Sequence, residues 1–173
     1  PAANEKRPER MGPFKEAFRN RMVFVYGTTG DAGQNAWALA KARYDAEVFW
    51  YRGNGSIDIV PDTDFDAEKF KDRSVILFGN RDTNGAWKTL LADCPINVTN
   101  GSVQFGDEKI EGDDLTALFV YPRPDSSQAS VGVVSGTGMA GFRASDRLPY
   151  FVSGVAYPDF TIMKSETLLK RSA

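Results

Sequence analysis

The stretch MVFVYGTTGDAGQNAWALAKARYDAEVFWY, residues 22–51, decides the fold. Met22-Val23-Phe24-Val25-Tyr26 is a continuous apolar run of strand length that stops at Gly27, the form taken by a strand buried on both faces. The glycine-rich turn GTTGDAG (27–33) leads into a helical pattern. Trp37, Ala40, Tyr44, Val48 and Tyr51 recur at helical spacing, with Lys41, Arg43 and Asp45 off that stripe. Asp31 is placed to cap the helix start and Gly53-Asn54-Gly55 to end it.

Outward from this unit the same order recurs. Ser56 to Val60 alternates as a short strand does, and the polar stretch from Asp62 to Lys71 suits a helical turn. Val75-Ile76-Leu77-Phe78 is a second buried strand, stopped by Gly79. Thr83 or Asn84 can cap a helix over GAWKTLLAD (85–93), which Pro95 forbids from continuing. Between 96 and 112, Val103 and Phe105 alternate with polar residues and Gly106-Asp107 precedes Lys109-Ile110-Glu111, a hairpin signal. Leu118 to Tyr121 and Val131 to Val134 read as further strands. SGTGMAG follows, then a partly helical stretch at 143–151, and Phe160 to Met163 as the last strand. Strands alternating with helices predict an α/β fold with a three-layer, mainly parallel sheet, flavodoxin-like or Rossmann-like, carrying a β-hairpin insertion. Residues 1–12, polar and proline-bearing, read as a linker or lead-in, with Phe14 and Phe18 opening a single α/β domain over 13–173.

Composition excludes more than it selects. The 173 residues suit one domain, 42% hydrophobic and 25% charged, with a formal net charge of -2. That balance gives no basic footprint for nucleic acid, and no apolar run is long enough to cross a bilayer. Cys94 stands alone, so an internal disulfide and a paired-thiol zinc site are excluded. The absence of histidine removes the commonest general base near neutral pH and any Ser-His-Asp or Cys-His arrangement within the chain. The start at Pro1 reads as that of a segment, cut from a longer protein or processed.

The motifs are incomplete. Gly136-x-Gly138-x-x-Gly141 follows a strand, as a dinucleotide fingerprint must, but lies near the end of the chain, and its acidic residue, Asp159, comes before the next strand rather than after it. GTTGDAG lacks the Gly-Lys-Ser/Thr ending of a phosphate loop. Asp62-x-Asp64-x-Asp66 imitates a calcium loop, with Ala67 where glycine is needed and Arg73 where a bidentate glutamate is needed. Ser135 is the nearest imitation of a nucleophile, with no elbow and no base. If the sheet is parallel, the loops after its strands share one edge. That edge makes Gly27, Thr28, Gly30, Gly79, Asn80, Asp82, Ser135, Gly136 and Gly138 the candidate ligand-binding residues. No catalytic residue, metal ligand or cofactor is expected. In YDAEVFWYRG (44–53), Phe49 and Trp50 fall off the main aromatic stripe. This reads either as a thick local core or as a surface for a neighbouring domain or a second copy.

GPFKEAFRNRMVFVYGTTGDAGQNAWALAKARYDAEVFWYRG, VILFGNRDTNGAWKTLL and SVGVVSGTGMAG together resemble the C-terminal α/β region of large bacterial proteins related to α/β-hydrolases of the prolyl oligopeptidase and esterase type. The resemblance spans most of residues 12–163. It implies that the nucleophile elbow and histidine lie in an upstream hydrolase domain of the same protein. It also implies that this domain is a non-catalytic accessory packing on the catalytic one, and that its home is periplasmic or extracellular. It carries no catalytic residue onto any position here. The competing expectation is a small-ligand or nucleotide-binding domain that uses the glycine-rich loops.

Overall fold

A computed structural model describes residues 12–19, 21–52 and 55–169, the side chains of 168 and 169 excepted. The expected lead-in at 1–12 and the Gly53-Asn54 helix stop fall almost entirely outside them. Nine strands and four α-helices are assigned within the described residues.

The main sheet is built on continuous apolar runs. Strands β1 (Met22–Tyr26), β2 (Asp58–Pro61), β3 (Ser74–Phe78) and β8 (Ser130–Gly136) run parallel in the order β2-β1-β3-β8. Every residue of β3 and β8 is buried. The edge strand β2 is not, and it carries Pro61 where a missing ladder donor does no harm. Strand β7 (Leu115–Pro122) lies antiparallel beside β8, and β9 (Phe160–Lys164) closes the sheet antiparallel to β7.

Side chains alternate between two apolar clusters, one on each face of this sheet. On one face Met22, Phe24, Ile76, Phe78 and Val134 meet Trp37, Ala38 and Ala42 of α1 (Ala32–Tyr51), Phe142 of α3 (Met139–Ser145), and Phe14 of a 3-10 turn over Phe14–Phe18. On the other, Val23, Val25, Val75, Leu77 and Val133 meet Trp87 and Leu90 of α2 (Trp87–Leu90) together with Ile96, Val98 and Val103. The short helix α4 (Ser165–Leu169) follows β9.

Several expectations need correction. The expected hairpin is present as β5 (Ser102–Phe105) and β6 (Glu108–Glu111), but a third strand, β4 (Ile96–Thr99), extends it to a three-stranded antiparallel sheet over 96–111. The missed turn is Asn100-Gly101, with Gly101 at φ 89°, and Asn-Gly between apolar strands is a strong hairpin signal. The helix expected over 85–93 is a single turn, because Ala86 offers no capping side chain and Trp87, Leu90, Leu91 and Cys94 are each pulled into the core. The helix expected within 143–151 ends at Ser145 and begins earlier, at Met139.

The α1 face is the most consequential correction. Its buried side is Gln34, Trp37, Ala38, Lys41, Ala42 and Asp45, so that of the Trp37–Ala40–Tyr44–Val48–Tyr51 stripe only Trp37 is buried. Helix α1 is apolar on two faces, and only one of them meets the sheet.

Candidate functional site

The loops after β1, β3 and β8 do meet at one edge of the parallel strands, and they are stitched to one another. The Asn80 carboxamide spends its full capacity there. Its Nδ2 donates to the Gly136 carbonyl at 3.0 Å and to Asn100 Oδ1 at 2.9 Å, and its Oδ1 accepts the amides of Asp82 (3.0 Å) and Thr83 (3.1 Å). Asn84, which sequence reasoning had only as a cap, donates to the carbonyls of Val25 (3.0 Å) and Phe78 (3.1 Å), tying β1 to β3. The Thr29 amide donates to the Thr83 carbonyl at 3.1 Å. Thr28 Oγ1 donates to Asp62 Oδ1 at 2.5 Å, and Asp62 Oδ2 accepts the Gly85 amide at 2.5 Å.

Of the predicted ligand residues, Gly27, Gly79, Asn80, Ser135 and Gly136 are buried, Thr28, Gly30 and Gly138 are half-buried, and Asp82 is exposed, its carboxylate accepting the Asn100 amide at 2.8 Å. Ser135 lies inside β8, paired with Ala117 of β7, and not in the loop after it. Its hydroxyl is enclosed, so it is no accessible nucleophile.

The Gly136-x-Gly138-x-x-Gly141 spacing has an internal cause. A Cβ at Gly136 would stand 2.5 Å from the Phe142 amide nitrogen, at Gly138 2.5 Å from the Asp113 carbonyl oxygen, and at Gly141 2.1 Å from the Leu115 carbonyl oxygen. The space beside these glycines holds the protein's own backbone, where a dinucleotide site would hold a pyrophosphate. The carboxylates of the Asp62–Asp66 run are likewise engaged: Asp66 Oδ1 accepts the amides of Glu68 at 2.9 Å and Lys69 at 3.3 Å. Among the described residues no group of three or more His, Cys, Asp or Glu side chains is placed to hold a metal.

The helical face of the sheet holds a titratable cluster that sequence reasoning missed. Lys41 Nζ lies 2.9 Å from Asp45 Oδ1, and the Tyr150 hydroxyl donates to Asp45 Oδ2. Lys41 Nζ also sits 5.0 Å from the centroid of the Tyr150 ring. Burial raises the Asp45 carboxyl above its ordinary value, against the opposing charge of Lys41. Burial, then the Asp45 charge, pushes the Tyr150 phenol well above its own. Nearby, Trp37 Nε1 donates to Asp146 Oδ1 at 3.2 Å, and burial raises the Asp146 carboxyl as well. All three members of the Lys41–Asp45–Tyr150 set are enclosed. The arrangement fastens the 146–152 segment onto α1, at a small cavity of about 180 Å³ that Lys41, Asp45, Asp146 and Tyr150 help to line. One signal was available, a Lys–Asp pair at i,i+4; its third member is far along the chain.

Outside this lock, α1 presents its second apolar face to solvent. Gly33, Ala36, Ala40, Tyr44 and Tyr51 are exposed and Val48 half-buried. Tyr44 and Trp50 are each 59% exposed and Tyr51 75%. The two expected interface aromatics part company: Trp50 faces outward, while Phe49 turns to the body, its ring 5.8 Å from that of Phe151. Between the N-terminal half of α1 and α3 runs a mainly apolar groove of about 770 Å³, floored by Gly33, Ala36, Ala40 and Ala140 and edged by Arg143 and Arg147.

No family model matches the chain, and no curated protein matches it.

Proposed function

We propose that this domain is a non-catalytic accessory module of a hydrolase of the prolyl oligopeptidase or esterase type, and that it works by association through the outward face of α1. One observation carries the reading: a helix apolar on two faces has one of them, with Tyr44 and Tyr51, left in solvent, and Trp50 exposed beside it. Faces of this kind on soluble domains mark contact sites, and aromatics supply much of the energy of such contacts. The closed Asn80–Asn84 edge, the enclosed Ser135 and the absence of histidine all favour a module without chemistry of its own. The occupants that fit the reading are a catalytic domain in the same protein or a second copy of this chain, in the periplasm or outside the cell. The strand order β2-β1-β3-β8 supports a three-layer flavodoxin-like or Rossmann-like assignment, with β7 as the departure.

The test is association measured by light scattering coupled to size exclusion. The chain is run alone and with the polypeptide encoded immediately upstream, each beside the Tyr44→Ser/Tyr51→Ser variant, with p-nitrophenyl ester turnover assayed in parallel. Association that the double variant loses, without turnover by the chain alone, supports the reading. Association with neither partner, or ester turnover by the chain alone, overturns it.

A second reading, a small-ligand or nucleotide site at the C-terminal edge of the sheet using the loops at 27–33, 79–84 and 135–141, is favoured by the convergence of those loops there.

A further inference from the structure

The exposed face of α1 has an order. Its residues Gly33, Ala36, Ala40, Tyr44, Val48 and Tyr51 follow one another at steps of three or four, a single seam along the helix of the kind that packs against another helix. The N-terminal half of the seam is small (Gly33, Ala36, Ala40) and the C-terminal half is large (Tyr44, Val48, Tyr51). Tyr44 and Tyr51 stand out from the surface with Val48 half-buried between them, and the small residues floor the groove of about 770 Å³ against α3.

The spacing is symmetric about position 42. When the seam is laid antiparallel on itself around that position, Tyr51 falls opposite Gly33, Val48 opposite Ala36 and Tyr44 opposite Ala40. Each large residue meets a small one at every level, and the same three pairs recur on the other side of the two-fold axis. Self-complementarity of this kind is what a two-fold homodimer requires of one surface.

The seam is about 27 Å long and about 10 Å wide. With the α3 wall of the groove, two copies bury on the order of 1,000 Å² together, the size at which specific pairs begin.

We infer that the occupant of this face is a second copy of the chain, docked antiparallel through α1 with Tyr44, Val48 and Tyr51 of each copy seated on Ala40, Ala36 and Gly33 of the other. The inference rests on the association reading above and names its partner. The pair is a weak one, with dissociation in the micromolar range expected of a small interface.

Sedimentation equilibrium across the micromolar range tests it, with circular dichroism confirming that each variant folds, as substitutions at exposed positions allow. The wild type is expected to dimerise. Tyr51→Ala should weaken the dimer by about tenfold or more. Ala40→Tyr should abolish it by opposing two large rings, and Ala40→Tyr/Tyr44→Ala should restore it by exchanging large for small. Register is read by cysteine pairing, since Cys94 is buried and does not interfere. Under oxidation, Ala36→Cys mixed with Val48→Cys should give a covalent dimer that neither variant gives alone. A dimer joined through Val48→Cys alone, or one indifferent to Ala40→Tyr, overturns the antiparallel arrangement. A wild-type chain that stays monomeric yet binds the upstream polypeptide through this face overturns the inference and leaves the association reading standing. Binding to neither overturns both.

Discussion

Lys41 and Asp45, one turn apart on α1, form an ion pair at 2.9 Å with each side chain only 3% exposed. Water solvates neither charge, so each depends on the other and on Tyr150. Asp45→Ala leaves a buried ammonium without its counter-charge, and a loss of about 3–5 kcal/mol is expected by urea unfolding. Replacing the whole set with Lys41→Met/Asp45→Leu/Tyr150→Phe leaves no member polar and should recover most of that loss. A cost below about 1 kcal/mol for Asp45→Ala, the size of an exposed pair, would show that water reaches the cluster.

The same cluster sets an alkaline limit. Burial and the Asp45 charge raise the Tyr150 pKa in the folded chain, whereas the unfolded chain ionises near the ordinary tyrosine value of 10.0. Above that pH the unfolded state binds fewer protons than the folded state, so stability falls as pH rises. Below it this contribution is fully present. Urea midpoints measured from neutral to alkaline pH should therefore decline above about pH 10 in the wild type, and less steeply in Tyr150→Phe. Equal slopes would mean that Tyr150 ionises freely. Asp45 has the same sign: its raised carboxyl favours folding at acid pH, and that contribution is lost as pH climbs above the ordinary 3.8.

Buried parallel strands announced themselves in the sequence. Met22–Tyr26, Val75–Phe78 and Val131–Val134 are runs without a polar side chain, each followed within two residues by glycine, because both faces of such strands are covered and no polar alternation survives. The α1 helix was legible, and its orientation was not. Spacing finds an apolar arc but cannot say which of two arcs meets the sheet. The choice was made by Trp37, Ala38 and Ala42, small and flat enough to lie against Phe24 and Phe142, while Lys41 and Asp45 followed them inside. Their third partner, Tyr150, stands 105 residues away, a distance that no local pattern spans. Asn80 and Asn84 look like ordinary turn residues until the strands they join are placed side by side.

A second buried charge fixes the opposite end of the sheet. Arg123 is 1% exposed. Its Nε and Nη2 grip Asp125 at 2.6 and 2.7 Å, while Nη1 donates to the carbonyls of Phe70 (2.5 Å) and Arg73 (2.7 Å) and Nη2 to that of Ala67 (2.9 Å). The turn at 67–73 is thereby tied to the end of β7. Lysine has too few donors and the wrong shape for this fork, so Arg123→Lys is expected to lower stability by about 3 kcal/mol or more. A loss under about 1 kcal/mol in urea unfolding would show that the turn does not depend on the guanidinium.

The glycine spacing at 136–141 separates two accounts of the same residues. If Gly141 is glycine because β7 passes over it, a methyl there collides with the Leu115 carbonyl, 2.1 Å from an added Cβ. Neither side can yield: Leu115 is held in register with Lys164, and Gly141 is held through its carbonyl, which accepts Thr116 Oγ1 at 2.6 Å. Gly141→Ala should then lower stability by roughly 1–3 kcal/mol, as overpacking does. The wild-type chain should give no calorimetric heat with NAD or ATP, since the space a pyrophosphate needs is occupied. If instead these glycines serve a nucleotide, the wild type binds NAD or ATP in the micromolar range, and Gly141→Ala abolishes that binding while its unfolding midpoint stays unchanged. The two accounts thus differ in which quantity the same substitution moves: stability without any ligand, or affinity in a chain as stable as before.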